Sequence, residues 1–532
     1  MIGTLTLAVM AATLASTPCE GLKNVSLPNT TITTSVFVPE GVFTPATAPR
    51  GTGAAPAQTP ARGGRGERAT TPPEPIVAPA HCRVVAVLRP SADSLINMEL
   101  WLPPADKWNG KFQAVGNGVW AGWIQGLGST AGTTPAMVAA LRLGYATAGN
   151  DTGHQETNGR FTLDHPEKVI DFAYRAMHEM TVQSKALIKS FYDQSPRLSY
   201  YNGCSTGGRQ GLMAAQRYPE DFDAILAGAP ANDHLYLHAG DMARMVEILK
   251  DRAGFLSQAQ QDMLGKTVMS SCDALDGVKD NLITNPMACK FDPAVLQCKS
   301  GNSTDCLTPK QVATVKRMYA PVKNSKGELI FPGNAFGGES GYNLMRGITS
   351  PLPNAEVAEN PAPDELQLGT YRYLAHRDPN WDWKTFNIDT DPALAKKNGG
   401  FIDAVATDMS AFRDRGGKLL LYHGWADPAI QPENTVNYYN SVVARMGKNQ
   451  NNWLQLFMVP GMGHCRGGAG PNQIDWMSAL EEWREKGTTP TSIIGKGTNA
   501  GVPMTRPVCP HPQIATYKGS GDPNDAANFV CK

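Results

Sequence analysis

The chain has 532 residues, 41% of them hydrophobic, with 48 basic and 48 acidic side chains. That length exceeds one ordinary core and implies one large domain with insertions, or two domains. A formal charge of zero argues against nucleic acid or an anionic membrane as the main partner and leaves small-molecule or neutral-polymer chemistry.

The first 18 residues, MIGTLTLAVMAATLASTP, form an apolar run ending in small side chains, which reads as a secretory signal despite having no Lys or Arg near its start. The run is short for a membrane span and no other long apolar segment follows, so no membrane partner is expected. Residues 19–82 make an N-terminal segment. Its stretch from about 40 to 80 is rich in Pro, Ala, Gly and Thr, too poor in large apolar groups to order itself, and reads as a flexible surface insertion.

From residue 83 the pattern changes. RVVAVLRP, NMELWLP and KFQAVGNG read as strands, TPAMVAALRLG as a helix closed by Gly144, and YATAGND as a further strand. The long amphipathic stretch EKVIDFAYRAMHEMTVQSKALIKSFYD is a helix. It leads into the strand RLSYYNG, a CSTGG turn, the helix RQGLMAAQRYP and the strand FDAILAGAP. Strands alternating with helices mean a parallel α/β sheet with crossover helices. The alternation stops near Ala231 and resumes in GGKLLLYHGWAD and WLQLFMVPGMGHC. Residues 231–395, with their proline-rich loops and the aromatic run RYLAHRDPNWDW, therefore read as an inserted lid. Residues 83–230 and 396–532 together form the domain that carries it.

Ten cysteines occur, with no CxxC and no zinc-like Cys/His spacing. Five disulfides formed in an oxidising compartment are the economical reading, and ten buried free thiols the alternative. With the leader, this implies a secreted or periplasmic protein. Four glycosylation sequons start at Asn24, Asn29, Asn150 and Asn302, and matter only in a host that glycosylates.

Gly203-Cys204-Ser205-Thr206-Gly207 is a G-x-S-x-G placed between a buried-looking strand and a helix, the context that lifts a serine Oγ out of a sheet on a tight elbow. The motif alone is weak in a glycine-rich chain; the strand–turn–helix around it is what gives it force. The helix that follows offers N-terminal N–H groups to developing negative charge. An acid and a base are then needed in that chain order. Asp427 ends the strand KLLLYHG and His464 lies in the glycine-rich loop after LQLFMVP, both at the ends of strands. An ordinary turn aspartate and a loop histidine are the bland alternatives, and the shared placement with Ser205 outweighs them. Cys204 precedes the serine and Cys465 follows the histidine, so a working triad would bring the two sulfurs within bonding range.

The CS…D…HC arrangement, with GCSTGGRQGLMAAQRYPEDFDAILAGAPA, DMSAFRDRGGKLLLYHGWAD, VPGMGHC and the closing RPVCPHPQIATYKGSGDPNDAANFVC, resembles the tannase and feruloyl esterase family. That family also holds the mono(hydroxyethyl) terephthalate hydrolases. The resemblance runs from about residue 82 to the end. It implies an α/β-hydrolase fold with a large inserted lid, and a triad of Ser205, Asp427 and His464. It further implies the disulfides Cys204–Cys465, Cys272–Cys289, Cys298–Cys306, Cys509–Cys531 and Cys19–Cys82. For the oxyanion hole it implies the N–H of Thr206 and a second from the loop VGNGVWAG, at Gly118 or at Val119, where the family usually carries glycine.

A second candidate site lies in CDALDGVKDNL. By composition it is equally a solvated acidic turn or a hard-oxygen cation site. The resemblance implies structural Ca²⁺ held by Asp273, Asp276 and Asp280 with the carbonyls of Val278 and Leu282, and no organic cofactor. Trp120, Asp151 and His154 are candidates for lining the pocket or for packing loops. Tyr371, Tyr373, Trp381 and Trp383 are candidates for stacking on a substrate ring, with core packing the plainer role.

The expected activity is a serine carboxylesterase acting on small aromatic or plant cell-wall-derived esters through an acyl-enzyme, feruloyl esterase first and tannase second. Terephthalate monoester hydrolysis stands third. The acidic stretch ENPAPDELQLGTYRYL has no arginine before Gly369, and Thr206 replaces the glutamate of that subgroup. A catalytically silent relative that binds phenolics or polysaccharide is the rival from another class.

Overall fold

The computed structural model describes residues 17–47, 75–128, 134–300, 305–339 and 363–532. Nearly all of the expected leader and the middle of the Pro/Ala/Gly-rich segment therefore lie outside the described residues. The ends of that segment are ordered further than composition suggests: Gly41–Val42 pairs antiparallel with Val77–Ala78.

Nine strands form one sheet: β1 (Thr30–Val38), β2 (His81–Leu88), β3 (Ile96–Leu102), β4 (Lys111–Val115), β5 (Ala146–Asn150), β6 (Leu198–Cys204), β7 (Ala224–Gly228), β8 (Lys418–Gly424) and β9 (Leu454–Val459). Their order is β1-β2-β3-β5-β4-β6-β7-β8-β9. The first three joins are antiparallel and every join from β5 to β9 is parallel. The composition of the strands follows their place. β7 and β9 are buried at every residue and are apolar throughout except for Gln455, as strands covered on both faces tend to be. β1, TTITTSVFV, lies at the sheet edge and is only partly covered; its β-branched residues favour extended backbone, and Thr30, Thr33 and Ser35 donate their hydroxyls to the carbonyls of Pro28, Val85 and Cys19.

Helices cover both faces. Side chains of Ala176–Tyr192 (α2), Thr206–Arg217 (α3) and Glu433–Met446 (α7) join the large core on one face. Ala136–Arg142 (α1) and Trp476–Lys486 (α8) pack on the other, where Trp476, Leu480 and Trp483 meet Tyr200, Tyr422 and Phe457.

The insertion begins as the chain leaves β7, with α4 (His234–Lys250), α5 (Gln258–Cys272) and α6 (Pro309–Tyr319). It has a core of its own, in which Met245, Leu264, Val268, Leu307, Val312 and Val315 meet. A second cluster is shared between the two parts: Trp120, Phe161 and Phe172 from the sheet's loops pack with Leu235, Met242, Tyr371 and Leu374 from the insertion. The lid thus rests on the strand ends through buried apolar surface. Ser257 and Thr308 each start their helix with a reciprocal capping box, which satisfies N–H groups the helix leaves open.

Five disulfides join Cys19–Cys82, Cys204–Cys465, Cys272–Cys289, Cys298–Cys306 and Cys509–Cys531. Asn150 is fully buried and bonds the carbonyl of Ala176, so its sequon is closed to modification. No helix among the described residues is long and apolar enough to cross a membrane.

Candidate active site

Ser205 stands between β6 and α3 with φ 66° and ψ −124°, a left-handed backbone that a side chain adopts only at a cost of about 1–3 kcal/mol. Backbone hydrogen bonds on both sides hold it there. Its N–H donates to Gly228 at 3.0 Å, and its carbonyl accepts from Arg209 and Ala231, both at 3.1 Å. The elbow needs small neighbours. A Cβ on Gly116 would stand 2.7 Å from the Gly207 Cα, and one on Gly208 would stand 2.8 Å from the Pro230 Cα. Arg209, fully buried, donates to the carbonyls of Ala173, Ile402 and Phe172 and so ties α3 to the chain on both sides of the lid. Burial pulls its guanidinium down to about 10.

Asp427 follows β8 and is buried. One carboxylate oxygen accepts from His464 Nδ1 at 2.6 Å and from His423 Nε2 at 2.9 Å. The other accepts the N–H groups of Ala429 (2.7 Å) and Ile430 (3.0 Å). Burial alone would raise its pKa, but the two imidazoles outweigh that and hold it well below the carboxylate range. His423 is oriented in turn by Thr435, whose Oγ1 lies 2.7 Å from Nδ1. The loops carrying acid and base are laced together, Ala426 N–H donating to the Met462 carbonyl at 2.9 Å. Ser205 Oγ has no hydrogen-bond partner among the described residues; the Cys204–Cys465 bridge, Cα–Cα 6.0 Å, brings the serine's turn to the histidine's loop.

Both residues open into a cavity of ≈ 430 Å³, within the range of about 300–1,000 Å³ usual for small-ligand sites. Its lining includes Ser205, Thr206, Gly118, Val119 and His464. The two loop candidates for the oxyanion hole differ. The Gly118 N–H already donates to Gln125 Oε1 at 2.6 Å, and Gln125 Nε2 returns a bond to the Gly118 carbonyl. Val119 has φ 48°, and its carbonyl accepts from Thr206 Oγ1 at 2.6 Å, which docks the glycine loop on the residue after Ser205.

Several sequence candidates stand elsewhere. Trp120 is fully buried and donates to the Leu366 carbonyl at 2.9 Å; His154 stacks on Phe161 with centroids 3.6 Å apart; Asp151 binds Asn97 and the Gly153 N–H. None of the three lines the cavity, and neither do Tyr371, Tyr373, Trp381 and Trp383. Of these, Trp120, Tyr371, Trp381 and Trp383 pack the joint between lid and sheet, where their rings supply apolar area. Sequence reasoning overlooked His423, four residues before Asp427 on the same strand end, and the pair His234 and His238, one helical turn apart in the cavity wall.

In the acidic loop, Asp273 accepts the N–H groups of Asp280 and Leu282, Asp276 accepts Thr284 Oγ1 and the Val278 N–H, and Asp280 pairs with buried Arg506. Burial pushes Asp280 up to about 6 against the pull of Arg506, with the charges of Asp276 and Asp273 adding to the rise. Asp276 is raised as well, chiefly by burial. Among the described residues no three acidic, histidine or cysteine side chains are gathered as a ready-made metal cluster. Three carboxylates share this partly buried loop with Arg506, and carboxylate oxygens are the donor type that a hard cation takes.

The sequence matches the family model described as tannase and feruloyl esterase over residues 82–532. An uncharacterized esterase of Xanthomonas campestris pv. campestris is 34% identical, covering 98% of this chain and 92% of its own. A probable feruloyl esterase B-1 of Aspergillus flavus is 33% identical over 86% of this chain and 87% of its own. Among solved structures, feruloyl esterase B from Aspergillus oryzae superposes with a TM-score of 0.82 at 28% identity, covering 97% of this chain and 99% of that one. Tannin acyl hydrolase from Aspergillus niger shares the fold, with a TM-score of 0.71 at 20% identity. With a parallel-rich sheet and with Ser205 and His464 lining one cavity, the chain belongs to the tannase and feruloyl esterase family and is a carboxylic ester hydrolase.

Proposed function

We propose that this esterase hydrolyses esters of hydroxycinnamic and related phenolic acids, in the manner of a feruloyl esterase, through an acyl-enzyme on Ser205. The observation that carries the mechanism is the 2.6 Å bond from His464 Nδ1 to Asp427, which fixes the imidazole with Nε2 free to take the serine proton. Ser205 Oγ attacks the ester carbonyl; His464 accepts its proton and returns it to the leaving alcohol. Water then attacks the acyl-enzyme with His464 again as base, and Asp427 stays ionised throughout. The N–H groups of Thr206 and Val119 are the donors toward the oxyanion, since that of Gly118 is already engaged.

The substrate class rests on the relatives' printed activities and on the size of the cavity. Release of ferulate from methyl ferulate by wild type, set against Ser205→Ala, tests it; equal background rates for the two would refute it. Terephthalate monoester hydrolysis gains one observation as a second reading. Arg466 lines the cavity and could face a free carboxylate. A kcat/KM comparison of ferulate, gallate and terephthalate esters separates these readings.

The disulfides and the apolar leader support export to an oxidising compartment. Ca²⁺ in the Asp273–Asp276–Asp280 loop, with the Val278 and Leu282 carbonyls, would neutralise carboxylates that burial has made costly and brace the lid. Elemental analysis of the purified protein for one calcium per chain tests this, and a Tm indifferent to chelation argues against it.

A further inference from the structure

The lid's share of the active-site cavity includes His234 and His238 of α4 together with Leu366 and Gln367. His234 is 2% exposed and His238 1%. Among the described residues neither ring nitrogen of His234 has a hydrogen-bond partner, an expensive arrangement for a buried imidazole. The described groups around it are mostly aromatic. Trp120 and Phe172 stand T-shaped to its ring with centroids 4.9 and 5.9 Å away, and the His238 centroid lies 4.2 Å away. His238 commits Nδ1 to Thr370 Oγ1 at 2.6 Å.

Gln367 adds a third open group. Its Nε2 donates to Asp241 Oδ2 at 2.9 Å, and because a carboxylate only accepts, that bond settles which end of the amide is which. Its Oε1 is then an acceptor, buried and without a partner among the described residues. The position is close to the chemistry along the chain as well. Ala231, three residues before His234, donates its N–H to the Ser205 carbonyl.

We infer that His234, with His238 and Gln367, forms a recognition site for a neutral ring hydroxyl of the aryl acid whose ester is cleaved at Ser205. The inference rests on the aromatic-ester reading above and names the side chains that would read the ring. A neutral imidazole can both donate to and accept from a phenol, and Gln367 Oε1 can only accept. A carboxylate is the wrong occupant, because it would face that acceptor oxygen. Burial also disfavours the charged form of both rings, pulling His238 down to about 3 and His234 well below the ordinary imidazole range, with the charges of His238 and Arg209 adding at His234.

The test compares kcat/KM for methyl p-coumarate and methyl cinnamate, esters differing by one ring hydroxyl. Wild type should favour p-coumarate by about tenfold or more, and His234→Leu should bring that ratio toward one. His234→Gln, which keeps a donor and an acceptor, should restore part of it. The Tm of His234→Leu should equal or exceed that of wild type, because a buried group without partners has been removed. A ratio unchanged in His234→Leu, or near one already in wild type, would overturn the inference while leaving the aromatic-esterase reading intact. So would a lowered Tm with both esters slowed equally, the mark of a packing residue. If wild type cleaves a short aliphatic ester but neither aryl ester, the aromatic reading itself fails and takes this inference with it.

Discussion

Replacing both Cys204 and Cys465 by alanine separates what the bridge does for the fold from what it does for the chemistry. The two residues lie 261 apart in sequence. In the chain-entropy model a loop of that length restricts the unfolded state by up to about 5.6 kcal/mol at 25 °C. A chain of 532 residues has an unfolding entropy of roughly 1.1 kcal/mol/K, so the apparent Tm should fall by at most about 5 °C. Cys509–Cys531, 22 apart and packed in a small separate cluster, is the control. Its removal is worth up to about 3.4 kcal/mol and about 3 °C on the same scale. In stability the two double variants should therefore look alike. In activity they should part. The Cys204–Cys465 bridge joins the neighbours of nucleophile and base, and a displacement of about 1 Å there costs about a hundredfold in rate. At 25 °C the Cys204/Cys465 double variant, folded by circular dichroism, should lose about a hundredfold or more in kcat on methyl ferulate, and the Cys509/Cys531 variant less than about threefold. Wild-type kcat in the first variant, with loss of the bridge confirmed by mass, would refute the claim that the bridge sets the register of serine and histidine.

Asp427→Asn keeps the shape of the acid but presents an amide to His464 Nδ1, and should lower kcat by about 10⁴ with a near-normal Tm; steady-state kinetics checks it. His423→Phe removes one of the two imidazoles that depress Asp427. A depressed carboxylate stabilises the fold above its unfolded pKa and loses that contribution as pH falls through the folded value. With the folded value raised, the acid-unfolding midpoint should move to higher pH, read by fluorescence from pH 2 to 7. Gly208→Ala forces a Cβ against the Gly228 carbonyl and the Pro230 Cα at the elbow, and should cost about 1–3 kcal/mol in denaturant unfolding.

The sheet was legible because each buried parallel strand is a short apolar run and each crossover helix an amphipathic one; β6, β7, β8 and β9 lie where those patterns fall. Edge strand β1 carries no such signal, since half of its residues face solvent and its β-branched hydroxyls read equally well as loop. The site divides along the same line. Ser205, Asp427 and His464 sit at strand ends, and strand ends can be located from local pattern alone. His423 is in contact with the acid it supports only because β8 stops there and the chain turns back, which a spacing of four does not announce. His234 and His238 are further removed from anything local. HLYLH on a helix reads as a surface or core stripe until the insertion has folded back over the strand ends, placing Trp120 and Phe172 around one ring and Gln367, 133 positions further along the chain, in the same wall. Residues that act on the acyl bond can be found from the elements that carry them. The residues proposed to read the acyl group are set by how the inserted lid packs on those elements, and that packing is a tertiary fact.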